Sequence, residues 1–192
     1  MIQLPFELLL ASKSPRRQQL LRELGVDFKV MKIDVNEDFS NKLKREQIPL
    51  FLSELKARTA QQQLQDNQVC LTADTIVWLD DHVLNKAENA LEATAMLQSI
   101  SGRKHEVITA CSLSSREHIQ SFFAVTEVYF RQISDDEIQY YIQHFKPFDK
   151  AGAYGIQEWI GFIGVERIIG SFYNVVGLPV FELYTALRNF KP

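Results

Sequence analysis

Apolar positions along the chain fall into short continuous runs and helical stripes, separated by polar or glycine-bearing segments. Residues 8–11, Leu-Leu-Leu-Ala, make an unbroken apolar run of strand length, and Leu20, Leu21 and Leu24 then recur at helical spacing before Gly25, a residue suited to a helix end. The order strand, turn, helix follows. Leu52, Leu55, Thr59 and Leu64 predict a second helix over about 49–65, with Pro49 in its early turn and Asp66-Asn67 as its exit. The run 69–79 is rich in Val, Ile, Leu, Thr and Trp, and Asp80-Asp81 turns the chain toward Val83-Leu84, so a strand hairpin is expected. Asn89 can cap a helix with Ala93, Leu97 and Ile100 on its apolar face, stopped at Ser101-Gly102.

Two long strands, 107–113 and 122–130, are expected across the polar segment 114–118. Ser134 and Glu137 have capping-box spacing, which predicts a helix with Ile138, Tyr141, Ile142 and Phe145 inward, and a last helix follows Pro179. The polar stretch 36–47 is the expected mobile loop. Strands and helices interleave, yet neighbouring hairpins break strict alternation. The pattern therefore predicts an α/β fold with a mixed sheet flanked by helices. No repeat or Pro/Gly/Ser-rich linker marks a boundary, so 1–192 is expected to be a single domain, long enough to carry two lobes.

Composition adds three exclusions. With 46% hydrophobic residues, including 13 Phe, the chain has the apolar surface an ordered core requires. A net charge of -3 supplies no overall basic field for a nucleic acid, although a few cations focused in one place can still hold a small anion. The run 8–11 is far too short to span a bilayer and residues 1–7 lack a basic leader, so a cytoplasmic protein with no membrane partner is expected. Cys70 and Cys111 sit in apolar stretches without metal-ligand spacing and read as small buried hydrophobes, with a disulfide as the alternative.

The chemistry concentrates in a few segments. In Ala11-Ser12-Lys13-Ser14-Pro15-Arg16-Arg17, Ser14 suits an N-cap and Pro15 the first helical position, placing Arg16 and Arg17 in the first turn. Cations are unfavourable beside the positive end of a helix, and make sense if an anion such as a triphosphate covers the free N–H groups; a capped helix with exposed arginines is the alternative. No Walker A pattern is present. Asp74, within Ala73-Asp74-Thr75, puts a carboxylate into an apolar strand, where it needs a cation, a metal or an opening in the sheet. Glu37 lies in an acidic loop, and Lys56, Lys86 and Lys150 are individually ordinary. Repeated glycines from Asp149-Lys150-Ala151-Gly152 through Gly155-Ile156-Gln157 to Gly177-Leu178-Pro179 suggest strained turns or close backbone approach. His105 has no second His or Cys nearby and reads as structural.

Taken in order, Ser14-Pro15-Arg16-Arg17, Lys56-Ala57, Ala73-Asp74-Thr75, Ser101-Gly102-Arg103 with His105, and the tract from Asp149 to Gln157 resemble the Maf family of nucleotide pyrophosphatases over nearly the whole chain. The resemblance implies an elongated, ITPase-like fold with two lobes around a central cleft. It implies hydrolysis of a nucleoside triphosphate between the α and β phosphates, with a divalent metal; the acidic balance, separately, makes no nucleic acid the expectation. Asp74 then matches the proton acceptor and, with Glu37, the metal-holding position; Ser14, Arg16, Arg17, Lys56 and Lys86 match the phosphate path. Arg16, Thr75 and Gln157 match the positions that separate the dTTP and UTP subgroup from the relative preferring 7-methyl-GTP. Modified pyrimidine triphosphates are a further substrate class, and a homodimer is implied. Oxygen ligands of this kind suit Mg2+, Mn2+ or Co2+. The alternative is a nucleotide-binding regulator of cell division and septum formation with little catalysis. Two departures stand out: Ala87 follows Lys86 where proline is common, and Glu158-Trp159 follows Gln157 where glycine is usual.

Overall fold

The computed structural model describes residues 3–192; Met1 and Ile2, where a leader would begin, lie outside the described residues. Seven strands join one mixed sheet. Strand β1 (Glu7–Leu10) runs parallel to both β2 (Lys29–Val30) and β3 (Gln68–Leu79), whereas β3 and β4 (His82–Leu84) are antiparallel, as are β6 (Ile119–Phe130) and β7 (Val165–Ile169). With β5 (Lys104–Ser114), the order is β2-β1-β3-β5-β6-β7, and β4 pairs with β3 off that path. The expected α/β class and mixed sheet flanked by helices are borne out.

The chain divides into two compact units, one of Met1–Asp74, Thr109–Ala124 and Gly177–Pro192, the other of Thr75–Ile108 and Val125–Val176. In the first, β1 enters α1 (Pro15–Glu23) through Ser14, whose hydroxyl accepts from the Arg17 N–H, and Gly25 ends the helix with φ +76°. Helix α2 (Gln47–Gln61) has Pro49 at its third position and buries Ile48, Leu52, Ala57 and Ala60. Around them Leu8, Leu10, Leu21 and Leu71 are almost wholly excluded from water. Each such side chain contributes about 1.5–3 kcal/mol of transfer free energy. Strand β3 is buried along nearly its whole length, which is why it reads as a continuous apolar run and why its one carboxylate stands out. Helix α7 (Val180–Asn189) completes this unit.

In the second unit, Asp80 and Asp81, both at positive φ, make the tight turn between β3 and β4. Asn89 caps α3 (Ala90–Ile100), and Ala93, Leu97 and Ile100 are its buried face. Helix α4 (Asp135–Phe145) starts at the Ser134–Glu137 capping box and packs against α3. Its expected inner face needs one correction. Phe145 is 36% exposed, because the helix stops there and Lys146 turns left-handed, although its ring still stacks on Tyr141. The short elements α5 (Trp159–Gly164), β7 and α6 (Phe172–Val176) fill a tract whose glycines hide their periodicity. At Gly161 a Cβ would lie 1.8 Å from the Ile156 carbonyl oxygen, so no other residue fits.

Both cysteines are free and buried, and burial pushes each thiol up to about 12. Among the described residues no helix is long and apolar enough to cross a membrane.

Candidate functional site

The first unit brings the start of α1, one side chain of α2 and the end of its β3 segment together. Arg17 is held by backbone carbonyls: Nη1 donates to Ala73 at 2.8 Å and Nε to Gly177 at 2.8 Å, with Ser12 Oγ at 3.4 Å from Nη1. These bonds tie the first turn of α1 to the residue preceding Asp74. Lys56, the tenth residue of α2, reaches the same place. Its Nζ lies 2.7 Å from Asp74 Oδ1 and 3.1 Å from Glu37 Oε1, so one ammonium is shared by a buried carboxylate and a loop carboxylate. Burial pushes the Asp74 carboxyl above its ordinary value, and the Lys56 ammonium and Arg17 guanidinium pull against that rise. Burial likewise lowers Arg17, which the Asp74 charge opposes. Arg16 is half-buried on the same turn, and Ser14 remains its N-cap.

A row of buried hydroxyls lies one step behind these groups. Thr72 Oγ1 donates to the Ser53 carbonyl at 2.7 Å, and Ser112 Oγ donates to Ser53 Oγ at 3.0 Å, fastening α2 to the sheet one turn before Lys56. Their hydrogen bonds satisfy polar atoms that would otherwise be costly in this core.

The remaining candidates belong to the second unit. Thr75 is its first residue, next to Asp74 along β3. Lys86 is exposed, and its backbone forms a bridge with Ala151, while the Gly152 N–H reaches the Leu84 and Asn85 carbonyls, each at 3.1 Å. Gly152 has φ +65°, and a Cβ there would come within 2.8 Å of Val77. Gln157 is half-buried, and its Oε1 is a buried atom without a hydrogen-bond partner. Lys150, an ordinary surface lysine on sequence grounds, is instead 8% exposed, with Nζ 2.7 Å from Asp149 Oδ1 and 3.0 Å from Glu158 Oε1. His105 is structural, as expected: it is buried, bonded through Nε2 to the Tyr154 hydroxyl at 2.7 Å, and packed edge-on to Phe130.

The Maf-like protein family model matches residues 7–190. The chain belongs to the Maf family. This Maf chain is 47% identical over 185 residues to a Bacteroides fragilis protein named dTTP/UTP pyrophosphatase, covering 96% of each. It is 48% identical over 185 residues to one of the same name from Phocaeicola vulgatus, again covering 96% of each. A third so named, from Christiangramia forsetii, is 46% identical over 183 residues, 95% of this chain and 93% of that one. Among solved structures, a dITP/XTP pyrophosphatase from Mycobacterium abscessus is similar at 16% identity and a TM-score of 0.46, covering 95% of this chain and 97% of that one.

For a Maf chain the question of a metal turns on Asp74 and Glu37. Among the described residues no group of three or more His, Cys, Asp or Glu is placed to hold an ion unaided. Two carboxylates that already share one positive charge, that of Lys56, nevertheless fit a hard cation of the kind that takes one or two carboxylates and completes its shell with phosphate oxygens and water. The sequence does not show that Tyr141, Lys150 and Glu158 meet around the turn that carries Gln157. The one available signal was the pair of opposite charges at 150 and 158, eight residues apart in a tract whose glycines bring such residues back together.

Proposed function

We propose that this chain, acting over 1–192 as one Maf-like domain, hydrolyses dTTP and UTP between the α and β phosphates to the monophosphate and pyrophosphate. The observation that carries the reading is the meeting of Arg17, Lys56, Asp74 and Glu37 in one unit at the start of α1, where a helix N-terminus and fixed cations suit an anion. The names of relatives 46–48% identical supply the substrate class.

In this reading Ser14, Arg16, Arg17, Lys56 and Lys86 bind the phosphates and neutralise charge that would repel an incoming water. Asp74 takes the proton from that water as its oxygen bonds to phosphorus, the bridging bond breaks, and pyrophosphate leaves with the bond's electron pair. A carboxyl raised by burial is a better base near neutrality than an ordinary one. Asp74 and Glu37 would hold Mg2+, Mn2+ or Co2+, which when bound adds charge neutralisation and acidifies water. Thr75, Arg16 and Gln157 select the base, the Gln157 amide offering a donor and an acceptor to the carbonyl and N–H edge of uracil or thymine.

Asp74→Asn keeps shape and loses the proton acceptor, so pyrophosphate release from UTP falls by about 10²- to 10⁴-fold while the thermal transition persists. Near-native release by that variant removes Asp74 from the chemistry. Tight UTP binding by the native chain with no product under any divalent metal would instead favour the regulatory reading.

A further inference from the structure

Residues 155–158 form a turn closed by the Glu158 N–H donating to the Gly155 carbonyl at 2.9 Å, and Gln157 is its third residue. One hydroxyl holds both ends. Tyr141 Oη accepts from the Gly155 N–H at 3.0 Å and donates to Glu158 Oε2. The other oxygen of Glu158 pairs with buried Lys150, and Tyr141 itself is fully buried on α4. Gly155 leaves no slack: a Cβ there would lie 2.9 Å from Glu158 Cδ, 3.1 Å from Lys150 Cε and 3.2 Å from Gln157 Nε2. Gln157 Oε1, by contrast, is buried and has no partner, an acceptor whose desolvation costs about 1–3 kcal/mol until something donates to it.

A primary amide can present either of two hydrogen-bonding faces. With Nε2 toward O4 and Oε1 toward N3–H it reads uracil or thymine; turned over, it reads the amino group and bare N3 of cytosine. Which base is accepted then depends on whether the amide can turn. Glu158 Cδ and Gln157 Nε2 border the same point above Gly155, so a turned amide would bring its carbonyl oxygen to the side of the Glu158 carboxylate, which repels it.

We propose that Tyr141, Glu158 and Lys150 are positioning residues that hold the Gln157 amide in one orientation and so set a preference for uracil and thymine over cytosine. This rests on the reading of Gln157 as the base contact. The test is the ratio of kcat/KM for UTP to that for CTP in the native chain, Tyr141→Phe, Glu158→Gln, Gln157→Leu and the Tyr141→Phe, Gln157→Leu double variant, each with its thermal transition recorded. The ratio is expected to fall about tenfold in both Tyr141→Phe and Glu158→Gln, carried by KM rather than kcat. In the Gln157→Leu background Tyr141→Phe should change it no further. An unchanged ratio in folded Glu158→Gln, with Gln157→Leu altering it, overturns the positioning role alone. An unchanged ratio in Gln157→Leu overturns the base contact, and this proposal with it.

Discussion

At the scale of single residues, two perturbed polar positions answer to the same cause. Asp74 is a carboxylate in a strand buried on both sides, and His105 an imidazole against Phe130 and Tyr154. Burial disfavours the charged form of each, raising the first and pulling the second from 6.5 to about 3. For His105 the consequence for stability has a definite sign. The folded value lies below the unfolded one, so between pH 6.5 and 3 the unfolded chain binds a proton that the folded chain refuses. Stability from the neutral imidazole is complete above pH 6.5 and is lost as pH falls toward 3, with a slope of about 1.4 kcal/mol per pH unit. His105→Gln keeps a polar partner for Tyr154 without titrating, so its melting temperature should fall less steeply over that interval. Parallel curves for the two proteins would assign the acid sensitivity elsewhere. Asp74 was legible in the sequence because a carboxylate in an apolar run is itself an anomaly; Lys150 and Glu158 were not, since neither is unusual until a turn brings them within 3.0 Å.

At the scale of elements, what could be read was what is written locally. Ser14 with Pro15, Asn89, and Ser134 with Glu137 each mark a helix start through a side chain that accepts a backbone N–H, and all three helices begin where those residues stand. The Asp80-Asp81 hairpin was equally local. By contrast α5 spans six residues with glycines at 161 and 164, too few turns for an apolar stripe, and is shaped by contact with Ile156 and Ile133. The two-residue β2 exists only because β1 offers it an edge. The α4 cap carries a measurable share of stability. Ser134 accepts the Glu137 N–H at 3.3 Å, Glu137 accepts the Ser134 N–H at 2.9 Å, and Arg131 holds the Glu137 carboxyl down to about 2. Ser134→Ala should cost about 1 kcal/mol, lowering the melting temperature by roughly 2–4 °C for a chain of this size. A larger loss would mean that Ser134 supports more than the cap.

At the scale of the whole molecule, charge and binding partner are linked. The net charge is -3, yet Arg17 and Lys56 are each fixed within hydrogen-bonding distance of the chain around Asp74. Held cations of this kind favour a compact polyanion that can meet all of them at once, whereas an extended phosphate backbone gains from many spread contacts, which an acidic surface does not offer. A ligand that binds only the folded chain raises its stability by mass action, about 2.7 kcal/mol at a hundred times its dissociation constant. An α,β-imido analogue of UTP, whose scissile bridge resists cleavage, should therefore raise the melting temperature by roughly 5–11 °C with Mg2+ present at that saturation. Because Asp74 and Glu37 would hold the cation only together with phosphate oxygens, neither Mg2+ alone nor the analogue with a chelator should give the full shift. A single-stranded oligonucleotide at the same phosphate concentration should give almost none. If the oligonucleotide stabilised the chain as strongly as the analogue, in a salt-sensitive way, the cations at the start of α1 would serve a polymer, and the triphosphate reading would lose its physical basis.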